Sequence, residues 1–74
     1  MTLEELAIRR FSERIGAPVT QETQLSEILS HFDALWVIGQ LEEEVHVDIW
    51  DCRFRHIRTI GDVIRCLAEE LGEN

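Results

Sequence analysis

The twenty residues from Ser30 to Ile49, SHFDALWVIGQLEEEVHVDI, constrain this chain most. They read as one amphipathic helix that ends in an acidic turn and a short extended exit. On a helical wheel Ala34, Leu35, Ile38, Leu41 and Val45 share one arc, which predicts a core face. The opposite arc carries Phe32, Asp33, Trp36, Gly39, Gln40 and Glu43. Ser30 and Asp33 form an S-x-x-D capping box, so Ser30 is predicted to cap the helix. Its side-chain oxygen would then accept a hydrogen bond from a backbone N–H near Asp33. Phe32 and Trp36 are four residues apart, a spacing that lets them stack on the outer face. Gly39 costs about 1 kcal/mol against alanine inside a helix and leaves a flat spot between large neighbours. Val45 to Ile49 alternates apolar and polar residues. With no second strand to pair with, it reads as an extended exit with Val47 and Ile49 packed inward.

The rest of the chain supplies partners for that helix. Seventy-four residues make one small domain, 1–74, with a thin margin of core. Thr2 and Glu5 form a capping box that opens a first helix near Leu3. Leu3, Leu6, Ala7, Ile8, Phe11 and Ile15 follow at helical spacing, while Arg9, Glu13 and Arg14 read as solvated. Gly16 suits the left-handed residue after a helix, and Pro18 confirms the stop. Val19 to Leu29 reads as a loop anchored by Val19, Leu25 and Ile28. Trp50 to Arg55 fits a short helix or helical turn. Thr59 and Asp62 make a third capping box, and Ile60, Val63, Ile64, Leu67, Ala68 and Leu71 form the stripe of a last helix capped by Gly72. The prediction is an all-α fold.

Charge narrows the partners. Fifteen acids against seven bases, all of them arginine, give a net charge of -8. Phosphate backbones need clustered cations, so nucleic acid is excluded as a partner, and an anionic membrane is disfavoured for the same reason. A protein with a basic patch is favoured, because complementary fields steer encounter. No apolar run is long enough to span a bilayer, and the basic-then-apolar start of a signal peptide is missing. A cytoplasmic location is the expectation. Cys52 and Cys66 do not have a metal spacing, and Cys66 falls on an apolar helix face. Cys52, His46 and His56 would make an incomplete zinc set, because structural zinc wants four ligands.

In this setting the central stretch resembles the second helix of acyl and peptidyl carrier proteins, which reads D-S-L-x-x-V-E-L-V-x-x-L-E-E-E-F-x-x-x-I. Phe32, Leu35, Val37, Ile38, Leu41, Glu42, Glu43, Glu44, Val45 and Ile49 fall in that register without a gap. Val19 and Leu25 match buried positions of the family's long first loop, and Ile57-Arg58-Thr59-Ile60 matches its I-x-T-V entry to the last helix. The resemblance covers the whole chain. It implies an acyl-carrier-like four-helix bundle with three longer helices and one short third helix. Two departures stand out. The first loop is about two residues shorter than the family's and lacks its Gly-rich turn. And His31 stands where the family carries its phosphopantetheine serine.

That histidine sets the functional expectation. The resemblance implies a carrier-like protein that does not carry, needs no cofactor, and acts as a non-catalytic docking partner of a fatty acid, polyketide or peptide biosynthesis enzyme. Docking would use the outer face of the central helix, through His31, Phe32, Trp36, Gly39, Gln40 and Glu43. The partner would present a basic or apolar surface. The alternative is a working carrier with 4'-phosphopantetheine on Ser30, one residue offset from the family's position. The same aromatic face also suits a homodimer. Catalysis is not expected: His31 at a helix start could act as a base, but no nucleophile, metal set or oxyanion hole lies at a recognisable spacing.

Overall fold

Capping chemistry sets the ends of the helices. The structure, a computed structural model, describes residues 1–47 and 57–72. Among them are four helices: α1 (Leu3–Ile15), α2 (Leu25–Ile28), α3 (His31–Val45) and α4 (Ile60–Leu71). There is no strand among the described residues. The Thr2–Glu5 and Thr59–Asp62 boxes are both reciprocal, each side chain satisfying a backbone N–H of the other residue. Gly16 and Gly72 close α1 and α4 in the left-handed conformation, at φ 79° and 78°.

The core lies where three apolar stripes meet. α1 packs against both α3 and α4. Phe11 and Ala7 from α1, Ile38 and Leu41 from α3, and Ile60, Val63 and Leu67 from α4 are buried together. The expected inner arc of α3 needs adjustment. Ala34, Ile38 and Leu41 are buried, but so is Val37, while Leu35 and Val45 are only half-buried. The rotation follows from α1, which lies on the Val37 side and buries that flank. In α4, Leu71 is 39% exposed rather than core, since the stripe runs past the end of its neighbours.

The segment from Val19 to Leu29 is not wholly a loop. Leu25 to Ile28 form the single turn of α2, whose buried residue is Leu25. The stretch is tied to the start of α4 by backbone hydrogen bonds. Leu25 N–H donates to Arg58 carbonyl (2.9 Å), Ile60 N–H to Thr23 carbonyl (3.1 Å) and Gly61 N–H to Gln21 carbonyl (2.8 Å). Gln24 and Thr59 form a lone antiparallel bridge there. The short helix seen here is therefore the second in chain order. The short third helix predicted over Trp50 to Arg55 lies outside the described residues.

The exit from α3 also differs from expectation. His46 takes a left-handed conformation, φ 60°, and its N–H caps the Glu42 carbonyl. Val47 N–H donates to the same carbonyl at 3.1 Å. The chain thus leaves the helix through a Schellman-like turn, not directly into an extended segment. Val47 packs against the core as expected, while Ile49 lies outside the described residues.

Candidate docking surface

Ser30 opens the site. Its hydroxyl oxygen accepts from the Asp33 N–H at 3.2 Å, and the hydroxyl donates to Asp33 Oδ2 at 2.9 Å. Only half of the predicted S-x-x-D box forms. The carboxylate accepts a hydrogen bond from the Ser30 hydroxyl instead of from the Ser30 backbone N–H. Asp33 is held below the usual carboxylate range by the Arg14 guanidinium first and by the Ser30 hydroxyl second. Ser30 is exposed, but its hydroxyl is committed in both directions.

Beyond Ser30 the outer face of α3 presents aromatic groups to solvent. Phe32 is 82% exposed and Trp36 52%. His31 is exposed, and its ring meets Phe32 edge-on with centroids 6.3 Å apart. The expected Phe32–Trp36 stack is not what forms. The Arg14 guanidinium lies 4.8 Å from the centroid of the Trp36 ring and also pairs with Asp33. The guanidinium is attracted to the negative face of the indole ring. Arg14 had read as solvated from sequence. It is instead the link between the end of α1 and the start of α3.

Farther along α3, Gly39 and Gln40 are half-buried and Glu43 is exposed. A Cβ built on Gly39 would meet nothing within 4 Å, so the flat spot is open space. On the flank nearest α1, Arg10 grips Glu44 with two bonds, Nε to Oε2 at 2.8 Å and Nη2 to Oε1 at 2.6 Å. Glu44 is held below its ordinary range by that contact. This bidentate pair joins the flanks of α1 and α3 at the surface, while the burial of Val37, Ile38 and Leu41 sets which side of α3 faces outward. Of the six sequence-predicted docking residues, His31, Phe32, Trp36 and Glu43 are exposed and Gly39 and Gln40 half-buried, and His31 lies on the groove side of α3, away from the other five.

A second feature adjoins the site. A groove of about 590 Å³ is lined by Leu25, Leu29, Leu35, Ile38 and Ile57 together with Ser30 and His31. Sequence reasoning missed it, because it exists only once α2 and the Ile57 segment are brought beside α3.

Among the described residues no group of His, Cys, Asp and Glu could hold a metal ion. His46 caps α3, while Cys52 and His56 lie outside the described residues. Cys66 is half-buried, not fully core. No helix among the described residues is long and apolar enough to cross a membrane. No family model matches the chain, and no solved structure matches it.

Proposed function

We propose that this chain is an acyl-carrier-like docking protein that works through its surface and carries no phosphopantetheine. It engages an enzyme of fatty acid, polyketide or peptide assembly through His31, Phe32, Trp36, Gly39, Gln40 and Glu43. The observation that carries this reading is the exposure of Phe32 (82%) and Trp36 (52%) on the side of α3 opposite the core. Buried aromatic anchors supply much of the energy of protein contacts, and Trp is among the most common of them. The net charge of -8 suits a basic partner surface around those anchors. Three longer helices in an all-α domain are compatible with a carrier-like bundle, although the short helix described is the second and the short third helix of that reading falls outside the described residues; His31 rather than serine at the expected site argues for a non-carrying member.

The state of Ser30 supports the same side. A serine attacking a phosphate must shed its proton to a base. The acceptor present is Asp33, which Arg14 makes a weaker base. The second reading, a working carrier modified on Ser30, is favoured by one observation, the exposed position of Ser30 at the start of α3 beside the groove.

Calorimetric titration against purified ketosynthases, acyltransferases and adenylation enzymes that act on carriers tests the docking. Binding is expected for at least one, with a loss of about tenfold or more in folded Trp36→Ala. Equal binding by wild type and Trp36→Ala would sink the assignment of this face, as would a Trp36→Ala protein that no longer folds.

A further inference from the structure

The groove beside α3 differs from the rest of the surface in its charge. Buried Leu25, Ala34 and Ile38 form its floor, and half-buried Leu29, Leu35 and Ile57 form its walls. None of the described residues lining it is acidic, in a chain that carries fifteen acids. The arginine on its edge is Arg58, an exposed residue.

Arg58 stands apart from the other described arginines. Arg9, Arg10, Arg14 and Arg65 each reach a carboxylate. Among the described residues the Arg58 guanidinium reaches none, although the net charge of the chain is -8. Its backbone, by contrast, is clamped on both sides. The Arg58 N–H donates to Asp62 Oδ2 at 2.9 Å, and its carbonyl accepts from the Leu25 N–H at 2.9 Å. The fold thus fixes the root of an unpaired guanidinium at the edge of an apolar concavity.

These features select a class of ligand. The half-buried walls gain when an apolar body covers them, because apolar surface leaves water. A volume of about 590 Å³ lies in the range of small-molecule sites, which are mostly apolar and orient their ligand with a few polar groups. A guanidinium pairs best with a planar anion of two oxygens. It balances one negative charge. A phosphate monoester brings nearly two, and the second would stand uncompensated in a chain of net charge -8. A carboxylate brings one, whereas a cationic head would meet Arg58 as a like charge.

We propose that this groove binds a small apolar carboxylate, its body against Leu29, Leu35 and Ile57 and its carboxylate on the Arg58 guanidinium. The site is separate from the face that bears Phe32 and Trp36, neither of which lines the groove. The inference does not rest on the carrier-like reading.

Hydrocinnamate is the probe, with phenylpropylamine as its cationic counterpart. Each is titrated into the full chain to about 10 mM and followed by the methyl NMR signals of Leu29, Leu35 and Ile57. Hydrocinnamate should shift those signals saturably, with a dissociation constant on the order of 1 mM. The amine should bind about tenfold more weakly or not at all. Arg58→Gln keeps both backbone hydrogen bonds, so its helix content should hold. It should bind hydrocinnamate about tenfold more weakly and no longer favour acid over amine. Methyl signals that do not move, acid and amine bound equally by the wild type, or hydrocinnamate bound equally by wild type and Arg58→Gln would each overturn the proposal. The acid–amine comparison needs only the wild-type chain, so it decides the matter even if the variant misfolds. Failure here leaves the docking reading of Phe32 and Trp36 standing.

Discussion

Gly39→Ala should make the monomer more stable. Gly39 sits in the interior of the fifteen-residue α3, and a new Cβ would enter open space. No packing penalty opposes the change, so the gain is the propensity difference, about 0.8–1 kcal/mol. A domain of this size shifts by about 4–8 °C per kcal/mol, so its midpoint should rise by about 3–8 °C. In urea, where a small protein loses about 1 kcal/mol per molar, the midpoint should move up by nearly 1 M. The assay is far-UV circular dichroism at low micromolar concentration. Gly61→Ala is the internal control. A Cβ there would come within 3.1 Å of the Gln21 carbonyl, so any gain must be offset by displacing that loop. Gly39→Ala should therefore exceed Gly61→Ala. If Gly39→Ala left the midpoint unchanged or lowered it, the face around Gly39 would not be open, and the reasoning about docking would fail with it.

Three further outcomes are expected. Phe11→Ala removes a fully buried ring at the centre of the core and should cost about 3–5 kcal/mol, enough to unfold much of the population of a small domain, as urea titration would show. Ser30→Ala removes the cap of α3 and should cost about 1 kcal/mol by the same assay while leaving a folded protein, and no loss would mean that the Ser30 hydroxyl is not the cap. The carboxyls of Asp62, Asp33 and Glu44 are all held below their ordinary range, Asp62 chiefly by the Arg58 backbone N–H, Asp33 by Arg14 and Glu44 by Arg10. A carboxyl whose pKa is lower in the folded state adds stability that is present above its unfolded pKa and is lost as pH falls through the folded one. Thermal midpoints should therefore drop as pH is lowered from neutral through the carboxylate range, and Asp62→Asn should flatten the fall.

Much of this molecule could be read before folding, and the reasons differ by feature. The caps at Thr2, Ser30, Gly16, Thr59 and Gly72 were legible because capping is local and each needs only residues within one turn. The apolar stripes of α1, α3 and α4 were legible because helical spacing repeats over three or more turns. α2 was not, since four residues are too few for any period. Nor was the left-handed His46, because no glycine or asparagine marked it. Arg14 looked like a solvated charge and Arg10 carried no signal, and their partners Asp33 and Glu44 lie nineteen and thirty-four residues away. Those links appear only when α1 and α3 are laid together. For the candidate site, helical spacing pointed to the exposure of Phe32, Trp36 and Glu43, while Gly39 and Gln40 are half-buried. It could not tell that Trp36 would be claimed by Arg14 rather than by Phe32.

The most direct test of the central claim is the intact mass of the folded chain after incubation with coenzyme A and a broad-specificity phosphopantetheinyl transferase, with Ser30→Ala beside it. The expected result is an unchanged mass for both, because the Ser30 hydroxyl is held as a helix cap and, in the proposed carrier-like register, His31 stands at the serine position. A gain of one phosphopantetheine that disappears in Ser30→Ala would contradict it and make this chain a working carrier.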